Sequence, residues 1–296
     1  MVHRWGLALG GGGVPGIAAH LGFLSVLDRN GLVPEIVVGS SAGGIVAGSL
    51  AAGIPLEELE AFWKSLARDE WRFFGSDVVH ALDLLHPSPT PGLLMLDTII
   101  RASLRGAHAP NVAGWVSGYG VTVTNLSDLA GSSSSVVVSR DTGDLGLSTA
   151  QALTATAAFP LVFRGVRTTR GDLLCDGGLY DMVPVDACRA MGAEQVVSVA
   201  IGLPPGVPPD LDLGRLAEIV VSRSLERANH STNVVPAQFA LAIMTSGGLL
   251  SLDAFVANFE AGVATASVAV PAILALASNT PYRADPGAGE GLPPIG

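Results

Sequence analysis

The sequence predicts an α/β protein: a mostly parallel sheet sandwiched between helices. Short apolar runs, "WGLALG" (Trp5 to Gly10), "EIVVG" (Glu35 to Gly39) and "EQVVSVAIG" (Glu194 to Gly202), read as strands buried on both faces. Stretches of helical length alternate with such runs, which is the mark of a parallel sheet covered on both sides. Composition supplies the material. Of 296 residues, 49% are hydrophobic and only 14% charged, enough for one large α/β core.

The elements follow in order. After the first strand, "GIAAHLGFLSVLDRNG" (Gly16 to Gly31) predicts a helix, with Leu21, Leu24 and Leu27 near one face and Gly31 as its stop. Glu35 to Gly39 is the second strand. "AGGIVAGSLAAG" (Ala42 to Gly53) predicts a helix whose small residues permit close packing on a sheet. Pro55 opens an amphipathic helix with Leu56, Leu59, Trp63 and Leu66 on one side. From Arg68 to Pro110 the pattern weakens; "HPSPTPG" (His86 to Gly92) reads as a loop and "LLMLDTIIRASL" as a helix. "GYGVTVTNL" and "SSVVVSRDTG" read as two strands joined by a serine-rich turn. "STAQALTATAAFP" (Ser148 to Pro160) predicts a helix ending at a proline. "DLLCDGGLYDMVP" reads as a strand and a glycine turn, and "PVDACRAMGA" as a helix before the strand at Glu194. Beyond Gly202 comes a linker-like loop, then residues that read as helical and apolar. The expected organisation is an α/β core over 5–202, a helical C-terminal part of the same domain over 203–280, and a disordered tail over 281–296.

Charge and composition exclude other classes. The formal net charge is −10, and Lys64 is the one lysine among 16 basic residues. A nucleic-acid binder needs a basic footprint, and a polybasic membrane patch needs the same. Cys175 and Cys188 form neither a C-x-x-C pair nor a metal-ligand cluster, so they read as small buried hydrophobes in a reducing compartment. The apolar N-terminus is broken by Gly10 to Gly13 and Pro15, unlike a signal peptide. Ala261 to Ser278 is the only transmembrane candidate. Thr265, Ser267 and Pro271 make it marginal for a span, and a buried or surface-lying helix is the better reading. The expectation is a cytoplasmic protein, with peripheral membrane contact left open by a mean hydropathy of +0.48.

Chemistry concentrates in three motifs. "VVGSSAGG" (Val37 to Gly44) places G-x-S-x-G, with Gly39, Ser41 and Gly43, between a strand and a helix. That is the nucleophile-elbow pattern, in which a tight turn projects the serine while the helix dipole faces any oxyanion. Read alone, it leaves open a plain glycine turn with Ser41 as an N-cap. "LALGGGGVPG" supplies bare backbone amides, of which Gly12 and Gly13 are the candidate oxyanion donors, each worth about 100- to 1000-fold in rate. Gly11, Gly13 and Gly16 also satisfy the G-x-G-x-x-G dinucleotide fingerprint. The acidic residue such a site needs at the end of the second strand is absent there, and no G-K-[ST] follows to make a P-loop. The third motif is Asp176 with Gly177 and Gly178, an aspartate at a strand end that can meet the serine directly, or an ordinary Asp-Gly turn. His230 comes late enough for a Ser…Asp…His order but has no supporting motif. His20 reads as a packed helix histidine.

In this order, "GGGVPG", "GSSAG" and "DGG" resemble the patatin-like phospholipases. "ATAAFPLVF" (Ala155 to Phe163) is similar to that family's segment before the aspartate, and "DGGLYDMVPVDACRAMGAEQVVSVAIG" to its continuation, so the likeness runs from Trp5 to Gly202. It implies a patatin-like three-layer fold, to which the pattern adds the helical apolar C-terminal region, and lipid acyl hydrolysis by a Ser41–Asp176 dyad without histidine. Gly12 and Gly13 match the oxyanion glycines, and no metal or cofactor is implied. The implied partner is a lipid or fatty-acyl ester. One position departs: Pro15 stands where the family has Arg or Lys, removing a positive charge and a backbone donor. That departure motivates a second reading, a non-catalytic lipid-binding protein of the same fold. A dinucleotide-dependent oxidoreductase is the third.

Overall fold

The computed structural model describes residues 4–68, 99–107, 109–128, 135–160, 163–202, 237–247 and 252–278. The sheet contains β1 (Trp5–Leu9), β2 (Ile36–Ser40), β3 (Tyr119–Asn125), β4 (Ser135–Ser139), β5 (Val166–Arg167), β6 (Leu173–Asp176), β7 (Gln195–Gly202) and β8 (Phe239–Met244). Hydrogen-bonded neighbours follow the path β5-β6-β3-β2-β1-β7-β8, and β4 also pairs with β3. The run β3-β2-β1-β7-β8 is parallel, and β4, β5 and β6 join antiparallel.

The helices include α1 (Gly13–Arg29), α2 (Ala42–Ala51), α3 (Leu56–Arg68), α4 (Thr149–Thr156), α5 (Val185–Ala190) and α6 (Phe255–Ala277). Strand alternation sorts the core into two layers. Leu7, Leu9, Val37, Val121, Val197 and Val199 pack with α1, α2, α4 and α6; Ala8, Ile36, Val38 and Val196 pack with Val185, Ala187 and Cys188 of α5. The three-layer expectation holds.

The structure differs from the sequence reading at three places. First, α1 starts at Gly13, three residues before Gly16, because Pro15 falls in its first turn, where its missing N–H has no intrahelical acceptor to lose. It is also buried all round from Val14 to Leu27 rather than on one face, because α6 covers its outer side. Second, Phe239–Met244, read as helix, is strand β8 parallel to β7. Leu241 and Ile243 are buried between exposed Ala240, Ala242 and Met244, a period of two that alanine-rich composition disguises. Third, α4 ends at Thr156, four residues before Pro160.

Helix α6 is long and apolar enough to cross a membrane by length and composition. It lies against α1 through paired glycines: a Cβ on Gly22 would collide with the Phe259 carbonyl, and one on Gly262 with that of Ala19. Both cysteines are buried and unpaired. His230, residues 69–98 and the 281–296 tail lie outside the described residues.

Candidate active site

The site forms where strands end. β4 takes one edge of β3 over Gly120 to Thr124. The other edge is shared. β2 occupies it up to Ser40 opposite Thr122, and β6 arrives from the opposite direction with Asp176 opposite Val123. Two strands of opposite sense thus meet end to end, which brings positions 135 residues apart into contact.

At this junction Ser41 leaves the sheet with φ 51° and ψ −116°, the one non-glycine residue with positive φ among those described. Such a conformation costs on the order of 1–3 kcal/mol and persists only where its surroundings impose it. Gly39 and Gly43 provide the space: a Cβ on Gly39 would strike the Gly43 carbonyl, and one on Gly43 the Leu9 carbonyl. Ser41 is the N-cap of α2, yet its side chain makes no capping bond. Its Oγ donates instead to Asp176 Oδ2 at 2.8 Å. This separates the elbow from the capping serine that the motif alone left open.

Asp176 satisfies both of its sequence readings at once. Its Oδ1 accepts the Gly178 N–H at 2.8 Å, closing the 3-10 turn Gly177–Leu179, while Oδ2 faces Ser41. Thr124 Oγ1 donates to its carbonyl at 2.9 Å. Burial pushes the carboxyl up to about 7, with the Ser41 and Gly178 bonds pulling the other way. Near neutrality a large fraction is therefore carboxylate able to take a proton.

The glycine run lies alongside. Gly12 caps α1 and Gly13 is its first residue, so their N–H groups have no intrahelical acceptor. Gly11 is spent on the fold, its N–H bonding Met182 O at 3.1 Å. Gly16 packs against Ala42, so the positive ends of α1 and α2 converge here. From Trp5 to Leu27 and from Ile36 to Ser49, only Gly13 and Ser41 are not fully buried. The two openings are a candidate oxyanion donor and the candidate nucleophile.

His20, the one histidine among the described residues, sits behind the loop with Nε2 2.7 Å from the Gly10 carbonyl. Burial lowers it to about 4, so it is neutral and donates through Nε2, while Nδ1 has no partner among the described residues. The reading as a packed helix histidine stands. Sequence reasoning missed Thr156, whose hydroxyl accepts the Ser41 N–H at 3.0 Å and donates to the Thr122 carbonyl at 2.7 Å. Nothing in its local pattern marks it. Among the described residues no group of three or more His, Cys, Asp or Glu side chains forms a metal cluster.

The chain is similar to several known proteins. The chain is similar to lysophospholipase NTE1 of Mycosarcoma maydis, 29% identical over 67% of this chain and 10% of that one. It is similar to human patatin-like phospholipase domain-containing protein 6, 28% identical over 66% of this chain and 13% of that one. An uncharacterised NTE family protein of Mycobacterium bovis is 31% identical over 67% of this chain and 49% of its own length. The chain thus spans between a tenth and a half of these relatives. Among solved structures, VipD from Legionella pneumophila aligns over 90% of this chain and 66% of its own at 14% identity, with a TM-score of 0.48. The family model described as patatin-like phospholipase matches residues 7–189, and the chain belongs to that family.

Proposed function

We infer that the chain is a serine acyl hydrolase that cleaves lipid carboxylic esters through Ser41 and Asp176. One observation carries the reading: a serine held at φ 51° directs its hydroxyl to a buried carboxylate rather than to its own helix. In the reaction, Asp176 accepts the Ser41 proton as Oγ attacks the ester carbonyl carbon. The carbonyl π pair moves onto oxygen, where the Gly12 and Gly13 N–H groups stabilise the charge. Collapse of the intermediate expels the alcohol, which takes the proton from Asp176 and leaves acyl-Ser41. Water then attacks the acyl carbon and gives a proton to Asp176. The fatty acid departs and Ser41 recovers its hydrogen. A base titrating at about 7 is matched to work near neutrality.

Family membership supports a lipid ester as substrate, as does likeness to a protein named lysophospholipase. The exposed apolar residues Val256, Val268 and Leu274 on α6 are the surface we assign to peripheral lipid contact. Ser41→Ala and Asp176→Asn should each lower p-nitrophenyl ester turnover by about 10⁴-fold or more. A fluorophosphonate should label the wild-type protein and not Ser41→Ala. Hydrolysis that survives either substitution removes the dyad, and an unlabelled wild type favours a lipid-binding protein without catalysis. Val268→Glu with Leu274→Glu should reduce flotation with phosphatidylcholine vesicles; unchanged flotation removes α6 as the contact.

A further inference from the structure

We propose that Thr156 is a positioning residue whose hydroxyl, inserted into the last rung of the β2–β3 ladder, holds Ser41 in its attacking conformation. The inference rests on the acyl-hydrolase reading of the site.

The ladder itself makes the case. Val37 N–H bonds Gly118 O at 2.9 Å, and in a parallel pair every second residue repeats that bond one step along. The register then assigns the Ser41 N–H to the Thr122 carbonyl. That bond is replaced by a relay. Ser41 N–H donates to Thr156 Oγ1 at 3.0 Å, and Thr156 Oγ1 donates to Thr122 O at 2.7 Å. Donor and acceptor, which would otherwise meet directly, are held one hydroxyl apart. This offset is where the chain leaves the sheet and where φ turns positive.

The same carbonyl locates the other half of the dyad. Gly177, next to Asp176, lies so close to Thr122 O that a Cβ there would collide with it. Thr156 and the Asp176 turn are therefore referenced to one atom of β3. Space for the hydroxyl is also specific: a Cβ on Gly44 of α2 would sit 2.5 Å from Thr156 Oγ1. Thr156 is fully buried and bonds the Ser41 amide, so its action passes through Ser41.

Removing the hydroxyl lets the ordinary rung close. Ser41 N–H then reaches Thr122 O, the turn relaxes toward the sheet, and Oγ withdraws from Asp176. A filler of buried polar groups would behave differently, losing stability and activity together.

The test compares Thr156→Ala, Thr156→Ser and the wild type, with Ser41→Ala as the blank. Thr156→Ala should lower kcat about 10- to 100-fold with KM within about threefold, as misplacing a reacting group by an ångström does. Thr156→Ser keeps the relay and should recover kcat to within about threefold of wild type. If Thr156→Ala does not fold, Gly44→Ala takes its place. Alanine there usually favours a helix, but its Cβ displaces the hydroxyl, and kcat should fall in the same range. The amide resonance of Ser41 supplies a readout independent of turnover: it should keep its shift and exchange protection in Thr156→Ser and lose both in Thr156→Ala. Wild-type kcat in Thr156→Ala, or equal loss in the serine variant, overturns the proposal while leaving the hydrolase reading intact. A wild type that neither hydrolyses nor labels removes the hydrolase reading, and the Ser41 amide then decides the relay by itself.

Discussion

Two glycine-rich turns build this site, and they use glycine for different ends. At the β1–α1 turn, positive φ falls on a glycine, Gly13 at 61°, and the backbone amides are the functional groups. At the β2–α2 turn, positive φ falls on Ser41, while Gly39 and Gly43 only make room by lying against backbone carbonyls. The first turn leaves amides bare; the second concentrates strain on the residue that reacts. A glycine motif therefore does not reveal which service its glycines perform. The contacts a Cβ would make do reveal it.

The sharpest way to break the comparison is to add that Cβ. Gly43→Ala pushes against the Leu9 carbonyl of a central strand, which cannot move alone. The expected result is loss of the folded protein, a destabilisation beyond about 4 kcal/mol, read by thermal denaturation and soluble yield. Gly12→Ala meets a side chain instead, Ile201 Cγ2 at 2.6 Å and Cβ at 2.7 Å, so the half-buried end of β7 must shift rather than a central strand. Here φ is 161°, outside the left-handed range. The expected result is a folded protein with kcat/KM down about 100-fold, because the shift that relieves this contact carries the Gly12 N–H away from the oxyanion. If Gly12→Ala unfolds and Gly43→Ala merely loses activity, the two turns have been assigned the wrong way round.

The same contrast explains what the sequence made legible. The elbow and the glycine run could be read because strand, turn and helix are contiguous there, so local pattern carries the geometry. The start of α1 was misplaced because Pro15 looks like a boundary, although a first turn tolerates it. β8 was missed because Phe239, Leu241 and Ile243 alternate with alanines that suit a helix equally well. The pairing of Ser41 with Asp176 depends on β2 and β6 sharing one edge of β3. No local pattern encodes that, and family resemblance supplied the expectation. Thr156 had no signal of either kind, since its role is defined by contacts 115 and 34 positions away.

Each turn is also hydrogen-bonded to one buried titratable group, Asp176 at Ser41 and His20 at Gly10, and their charges are of opposite sign. On the elbow side, Asp176 titrates in the fold at about 7 against an ordinary 3.8. A raised carboxyl contributes stability that is present below about pH 4 and lost as pH rises through about 7, at most on the order of 4 kcal/mol. Activity should follow the opposite course, with kcat/KM rising through about pH 7 as the base ionises. Asp176→Asn should therefore be inactive yet melt higher than wild type at about pH 8, by a margin that shrinks toward about pH 5. An unchanged margin across that range removes the buried carboxylate as its source.

On the glycine-run side the sign reverses and the effect is smaller. His20 titrates at about 4 in the fold against an ordinary 6.5, because burial disfavours its charged form. A lowered imidazole contributes stability that is present above about pH 6.5 and lost as pH falls through about 4. In the wild type this loss overlaps the gain from Asp176 protonation, so a single melting curve against pH hides both. His20→Gln keeps a donor for the Gly10 carbonyl and removes the titration. It should melt close to wild type near neutrality and gain roughly 2 kcal/mol on it between about pH 6.5 and 4.5. Measured in an Asp176→Asn background, where the opposing limb is gone, that gain isolates the imidazole. If the acid limb of that background is already flat, His20 is not charged on unfolding in the way its burial requires, and the glycine-run turn owes its acid stability to something other than this ring.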